Sequence, residues 1–290
     1  MDVASPLWEN VPAATWRDRW RVPDVILLAR TASTNDVARR LADAGAPAGT
    51  VVIADEQTAG RGRFGREWIA PPGCSLLLSI VLRPGQADLA VRLPSTASIR
   101  VGLAAARAIE AGAGVKTALK WPNDLIIPGR GKVAGILCEG STAPDGDPWV
   151  VAGIGINIGQ TADDFPEELR AVATSIRRLT GRVPSRAAIA GPLLDALRPY
   201  RLRDLRPLQP DELQDYVRRD ALRGQHLRAE GESGIADGIA ADGALRLLTR
   251  QGIRFVRSGS VRPATDSTDS RLPLLQPAGT PPKPEPENCP

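Results

Sequence analysis

Histidine is almost absent from this chain, cysteine is scarce, and no long apolar run occurs. Its 290 residues hold one histidine, His226, and three cysteines, Cys74, Cys138 and Cys289, with no CxxC spacing. An odd number of widely spaced thiols offers no disulfide framework, and without a Cys/His cluster there is no zinc site. That pattern points to a reducing, cytoplasmic setting. No stretch approaches the roughly 18 consecutive apolar residues that cross a bilayer. The N-terminus MDVASPLWENVP also lacks the basic start and apolar centre of an export signal, so no membrane contact is expected. Charge of one sign is not in large excess either. A net charge of +4 with 24% charged residues is a modest arginine surplus, which gives no reason to expect nucleic acid. With 42% hydrophobic residues, the chain suits one large domain, or a large and a small one.

The first 24 residues carry Trp8, Trp16 and Trp20 among prolines and polar residues without a clean period, and are expected to be an extension packed on the next domain. Nothing there resembles a helix-turn-helix. From Val25 the pattern becomes a short strand, VILLA, then a polar cluster whose Ser33, Thr34 or Asn35 can cap a helix ending at Gly45. Strands are expected at 50–55, 75–82, 118–121, 124–127, 132–139 and 149–159, with helices over 95–111, 186–200 and 211–219. Adjacent strands joined by turns such as PGRG (128–131) imply antiparallel pairing, so the fold class is α+β with a mixed central sheet and flanking helices. Residues 221–262 alternate in short segments separated by Gly and Asp-Gly turns, the pattern of a small C-terminal β-barrel or meander. The domain scheme is thus an extension at 1–24, a main domain at 25–220, a barrel at 221–262 and a tail at 263–290. That tail has eight prolines and is expected to be disordered.

The most informative stretch joins two strands: Glu56-Gln-Thr-Ala-Gly-Arg-Gly-Arg-Phe-Gly-Arg-Glu-Trp68. Gly60, Gly62 and Gly65 alternate with Arg61, Arg63 and Arg66, so backbone able to approach a ligand closely carries three permanently charged forks. Such a segment suits an anion, with bidentate contact to carboxylate or phosphate, and can stay mobile until a ligand orders it. The same residues could form a solvated basic loop, or an RNA-binding segment in which Arg and Phe meet phosphate and base.

Five blocks occur in a fixed order: STND (33–36), QTAGRGRFGREW (57–68), KWPND (120–124), GKVAGILCE (131–139) and GIGINI (153–158). Together they resemble the biotin protein ligase family over about residues 25–160, and the segment 221–262 is similar to that family's small SH3-like C-terminal barrel. The resemblance implies a sheet like that of the class II aminoacyl-tRNA synthetases, a biotin/lipoate-ligase-like fold. It also implies ATP with magnesium, biotin as substrate, formation of biotinyl-5′-AMP, and transfer to a lysine of a biotin carboxyl carrier protein domain. No nucleic acid is implied as a partner, and without a DNA-reading module before residue 25 a ligase that does not double as a repressor is expected. A homodimer is compatible, but no surface can be assigned to it. The rivals are a lipoate–protein ligase on the same fold and a non-enzymatic nucleic-acid-binding or biotin-responsive regulator.

Activating a carboxylate with ATP brings two anions together, which calls for cations at their junction. Arg63 and Lys132 are placed there by the resemblance; Asp124, from its position at the bend after Pro122, could orient the incoming amine and assist its deprotonation, and all three are the catalytic candidates. Arg61, Arg63, Arg66, Trp68, Asn123, Lys132 and Asn157 are the ATP-binding candidates, and Asn123 is the one candidate magnesium ligand. A ureido ring needs hydroxyl, amide and main-chain partners within apolar walls. For the biotin side the candidates are Ser33, Thr34, Gln57, Gly60, Arg61, Arg63, Lys132, Gly135, Gly153 and Gly155. Ser33 and Thr34 could also serve only as helix caps, Lys132 could be a solvent lysine beside a hairpin, and Asn157 could hold a turn. His226 reads as structural, and Cys138 as a buried small hydrophobe, since adenylate chemistry needs no thiol.

Overall fold

A computed structural model describes residues 1–84, 93–200 and 207–264 of the chain. Its main sheet has eight strands: β1 (Val3–Ala4), β4 (Val25–Thr31), β5 (Val51–Gln57), β6 (Ser75–Leu82), β7 (Ala118–Lys120), β8 (Asp124–Ile127), β9 (Gly131–Thr142) and β10 (Pro148–Asn157). They lie in the order β1-β4-β5-β6-β10-β9-β8-β7. Only β4 and β5 run parallel, joined by the crossover helix α2 (Thr34–Asp43); the other neighbours are antiparallel. The expected mixed sheet is therefore present, with its parallel element where a helix crosses between two adjacent strands.

Strand β6 shows why the sequence there does not alternate. All eight of its residues are buried, because both faces of the sheet are covered. One face carries the large core, formed with α1 (Ala13–Trp20), α3 (Leu93–Ala113) and α5 (Ala187–Leu197). The other carries α2, whose Val37, Ala38 and Ala42 rest on Leu28, Val52, Ala54, Val81 and Val151. Helix α2 covers only part of this second face. Beyond it, β9 and β10 present glycines, and an open floor remains.

Where α3 and α5 meet, two local features fit each other. Pro192 lies inside α5 and cannot donate to the carbonyl of Ala188, four residues earlier. A Cβ on Gly112 of α3 would stand 2.4 Å from that carbonyl oxygen, so the glycine lets the two helices approach.

The N-terminal extension is more regular than its sequence suggests. β1 adds to the sheet edge beside β4, β2 (Leu7–Trp8) pairs with β3 (Val11–Pro12), and α1 follows. Trp16 and Trp20, one helical turn apart, stack at 4.7 Å, and Trp8 meets both edge-on. Trp16 Nε1 donates to the Trp8 carbonyl at 3.0 Å, and the Arg186 guanidinium lies 5.1 Å from the Trp8 ring. The spacing of Trp16 and Trp20 was the helical signal, diluted by the arginines and aspartate between them.

Two short helices, α4 (Ile176–Thr180) and α6 (Pro210–Arg219), lead to a second sheet. Its strands are β11 (His226–Ala229), β12 (Glu232–Ile239), β13 (Leu245–Thr249), β14 (Gly252–Val256) and β15 (Arg262–Pro263), in the antiparallel order β14-β13-β12-β11-β15. A four-stranded meander, β11–β14, with β15 returning to pair with β11, is compatible with the expected small barrel. Pro263, expected to open the tail, instead pairs with Leu227 inside β15; the tail from 265 onward, with Cys289, lies outside the described residues. His226 sits in β11, with Ser233 Oγ 3.4 Å from its Nε2.

Candidate active site

A cleft of about 780 Å³ opens over the glycine floor, within the range of small-ligand sites. Among the residues expected from sequence, Ser33, Thr34, Gln57, Arg61, Arg63, Arg66, Trp68, Asn123, Asp124, Lys132, Gly135, Gly153, Gly155 and Asn157 all line it. Gly60 does not. A Cβ there would lie 2.4 Å from the Trp68 carbonyl oxygen and 2.9 Å from Gln57 Nε2, so Gly60 serves loop closure.

The arginine loop folds back on itself as a small hairpin. Trp68 N–H donates to the Gly60 carbonyl at 2.9 Å, Gly62 N–H to the Arg66 carbonyl at 2.7 Å, and Arg61 bridges Glu67. The turn at Arg63–Gly65 needs positive φ at Phe64 (58°) and Gly65 (71°), and it leaves the Phe64 ring exposed. Arg63 stacks on that ring, with its guanidinium carbon 4.9 Å from the centroid. Burial lowers its pKa from the ordinary arginine value, while the carboxylates of Asp124 and Glu230 act the other way. Glu230 belongs to the β11–β12 turn, and Gly259–Arg262 also line the cleft, so the C-terminal sheet closes one side. That contribution had no readable signal in the sequence.

At the charged end of the cleft, Lys132 Nζ lies 2.6 Å from Asp124 Oδ1 and 5.6 Å from the Trp68 ring centroid. The glycine before it explains the placement. Gly131 has φ of 101°, and a Cβ there would stand 2.7 Å from Val172 backbone atoms. With that space clear, Lys132 N–H donates to the Val172 carbonyl at 2.7 Å and its carbonyl accepts from Thr174 N–H at 2.8 Å. The segment 172–174 thus acts as a short extra strand holding the lysine's backbone. Asn157 serves the same segment: its Nδ2 donates to the Thr174 carbonyl and its Oδ1 accepts from Gln160 Nε2. Both ends of its amide are committed inside the protein. This geometry favours the holding role over the nucleotide contact expected of Asn157.

Asn123 donates from Nδ2 to the Ile136 carbonyl at 2.7 Å, and its Oδ1 has no partner among the described residues. Beside it, Asp124 is already ion-paired. No group of three or more His, Cys, Asp or Glu side chains that could hold a metal occurs among the described residues. The donor set therefore fits a magnesium ion only as one carried by phosphates, with a single amide oxygen from the protein.

The opposite end is neutral. Thr34 N–H and Oγ1 both donate to Gln57 Oε1, at 2.8 and 2.9 Å. Ser79 Oγ lies 2.8 Å from Thr34 Oγ1 and 2.7 Å from Asn35 Oδ1. Asn35 is oriented by its Nδ2, which donates to the Leu137 carbonyl and to Glu139 Oε2. The three oxygen–oxygen contacts along this chain share only two hydroxyl protons, so the chain is short of donors. Ser33 occupies the cap position of α2, yet its side chain makes no capping bond; capping alone does not account for it. Asn35, Ser79 and Glu139 were not anticipated, since they come together from three separate elements.

The floor between the two ends is made by Gly135 and Gly155, cross-strand partners in β9 and β10. The Trp68 ring lies on them: a Cβ on Gly155 would be 2.6 Å from its Cε2, and one on Gly135 3.0 Å from its Cζ3. Trp68 Nε1 is buried there without a hydrogen-bond partner. Gly153 clears space for Asn35 instead, whose Oδ1 would stand 2.1 Å from an added Cβ. Cys138 packs against the core away from this chemistry, and burial pushes its thiol up to about 12.

Comparison with known proteins agrees with this geometry. Residues 27–157 match the model of the biotin/lipoate A/B protein ligase family. The bifunctional ligase/repressor BirA of Bacillus spizizenii is 37% identical over 234 residues, which span 79% of this chain and 70% of that protein. The biotin–[acetyl-CoA-carboxylase] ligase of Mycobacterium tuberculosis is 38% identical over 228 residues, spanning 77% of this chain and 80% of that one. Among solved structures, biotin protein ligase from Aquifex aeolicus in complex with biotin and ATP superposes with a TM-score of 0.68 at 28% identity, covering 83% of this chain and all of that one. The chain belongs to the biotin protein ligases, within the biotin/lipoate A/B protein ligase family.

Proposed function

We propose that this chain forms biotinyl-5′-AMP from biotin and ATP and transfers the biotinyl group to a lysine of a biotin carboxyl carrier protein domain. The observation that carries this is a single cleft with a donor-poor neutral end and a cationic end, separated by a glycine floor. A ureido ring brings N–H donors to the chain of Thr34, Ser79, Asn35 and Gln57, while the Ser33 hydroxyl is available to its carbonyl. A dithiolane ring has no N–H to offer, which favours biotin over lipoate.

In the first half-reaction a biotin carboxylate oxygen attacks the α-phosphorus, and the bond to the departing pyrophosphate breaks. Lys132 and Arg63 offset the negative charge gathered there, and Arg66 adds a third cation at the cleft wall. Arg61 is tied into an ion-pair network, which suits it to hold the loop rather than to meet phosphate. Bound magnesium would neutralise phosphate charge, and Asn123 Oδ1 is the protein atom suited to touch it. In the second half-reaction the acceptor amine attacks the acyl carbon, AMP leaves, and the amine loses a proton. The Asp124 carboxylate, released when the adenylate engages Lys132, is the group we assign to orient that amine; its present ion pair with Lys132 supports the assignment.

Biotin-dependent ATP–pyrophosphate exchange, run beside the same assay with lipoate, tests the substrate; exchange with lipoate alone overturns the biotin assignment. For Asp124, transfer from preformed biotinyl-AMP should fall about a hundredfold in Asp124→Asn. An unchanged transfer rate removes it from the mechanism.

A further inference from the structure

Glu139 lies outside the residues assigned to substrate above, yet it touches both ends of the machinery. It stands in β9, and its carboxylate accepts from Asn35 Nδ2 at 2.7 Å and lies 3.4 Å from Arg61 Nη2 and from Arg39 Nη1. Asn35 is the last member of the hydrogen-bond chain through Ser79, Thr34 and Gln57. Arg61 is the first arginine of the loop, and its backbone bridge to Glu67 sets the hairpin. We propose that Glu139 is a positioning residue that couples the neutral end of the cleft to the arginine loop, by holding Asn35 and Arg61 on one carboxylate. The inference rests on the ligase reading, in which the neutral end takes the ureido ring and the loop closes on the adenylate.

Other features of the fold agree with a built junction. Gly153 has no side chain where Asn35 must sit, so the sheet has been cleared for this amide in the orientation that sends Nδ2 to Glu139. Asp36, in the first turn of α2, also receives Arg61, from Nη1 at 2.8 Å, and Arg39 lies 3.8 Å from the same carboxylate. Hydrogen bonding to the Asp36 carboxylate is the main influence raising the pKa of Arg61, with Glu139 adding to it. Asp36 can therefore fix Arg61 to α2 without help. Among the described residues, only Glu139 bonds both that arginine and the amide of the ligand-facing chain. A displacement of Asn35 on ligand binding is then felt at the loop through one shared acceptor.

The Glu139→Gln variant separates coupling from mere packing. Asn35 Nδ2 and Arg61 Nη2 both meet Oε2 and Arg39 Nη1 meets Oε1; a glutamine keeps the shape but removes the charge that holds Arg61 at this point and leaves one acceptor oxygen in place of two. The variant should raise the KM for biotin about tenfold while changing kcat less than threefold. Trypsin cleavage after Arg61, Arg63 and Arg66 should slow on adding biotin to the wild type, and should no longer slow in Glu139→Gln. Arg39→Ala, which removes a partner of Glu139 that touches neither the chain nor the loop, should keep the wild-type KM and protection. A Glu139→Gln enzyme with wild-type KM and wild-type biotin protection overturns the proposal. So does an Arg39→Ala enzyme that reproduces the Glu139→Gln defects, because loss of any ion pair there would then suffice. Should Glu139→Gln fail to fold, Glu139→Asp decides on the same two readouts, with intermediate values expected and wild-type values overturning. A wild type without biotin-dependent exchange would instead overturn the ligase reading and this inference with it.

Discussion

The two ends of the cleft solve opposite problems. At the neutral end, Ser33, Thr34, Asn35 and Ser79 are each at most 4% exposed, and the last three are linked to one another by hydrogen bonds. At the cationic end, the Lys132 and Asp124 side chains keep 33% and 24% of their surface, and Arg63 lies on an exposed ring. A neutral ring can be recognised by fixed, desolvated groups, because each buried polar atom left without a partner costs about 1–3 kcal/mol and so discriminates. Phosphate and carboxylate cannot be held that way without a large desolvation cost, and the partly open ion pair leaves cations able to change partners. Rigid specificity and mobile charge are thus placed on different elements: strands and a helix terminus for the first, a loop and a hairpin-flanking lysine for the second.

Substitutions should break this division in a graded way. Lys132→Ala should reduce adenylate formation by at least a hundredfold while changing biotin binding far less, measured by pyrophosphate exchange and by calorimetry. Equal losses in both would mean that the two ends are not separable. Gly153→Ala should weaken biotin binding and lower stability by about 1–3 kcal/mol, since its Cβ meets Asn35 Oδ1 at 2.1 Å. Thermal melts with and without biotin would report both effects. Thr34→Val should raise the KM for biotin about tenfold and leave kcat nearly unchanged, the mirror image of Lys132→Ala. The smallest effect belongs to Cys138. With its thiol pushed up to about 12 by burial, it stays protonated at neutral pH, and native-state alkylation there should be negligible.

Much of the chemistry is legible in the sequence, because glycine and arginine alternating between two strands has few physical uses. Gly131 and Lys132 are recognisable as a pair, but the reason for the glycine is not: Val172, some forty residues on, supplies the strand that needs the space. Helix α1 escapes a reading by period because Trp16 and Trp20 mark only one turn among charged neighbours. Gly153 lines the cleft as expected, but the need for a glycine there was not readable: its missing side chain leaves room for Asn35 Oδ1. Ser79 looks like an interruption in an apolar strand; buried beside α2, it is the link between Thr34 and Asn35.

The sequence by itself determined the mixed sheet, the glycine-rich character of the loop and the set of cations, since each follows from local periodicity, backbone freedom or permanent charge. Only the tertiary structure decided which polar groups face a ligand and which hold one another. Asn157, Asn35 and Glu139 are polar residues of ordinary type, and their roles depend on partners from distant elements, Thr174, Gly153 and Arg61, brought within contact distance by the pairing of β9, β10 and β6.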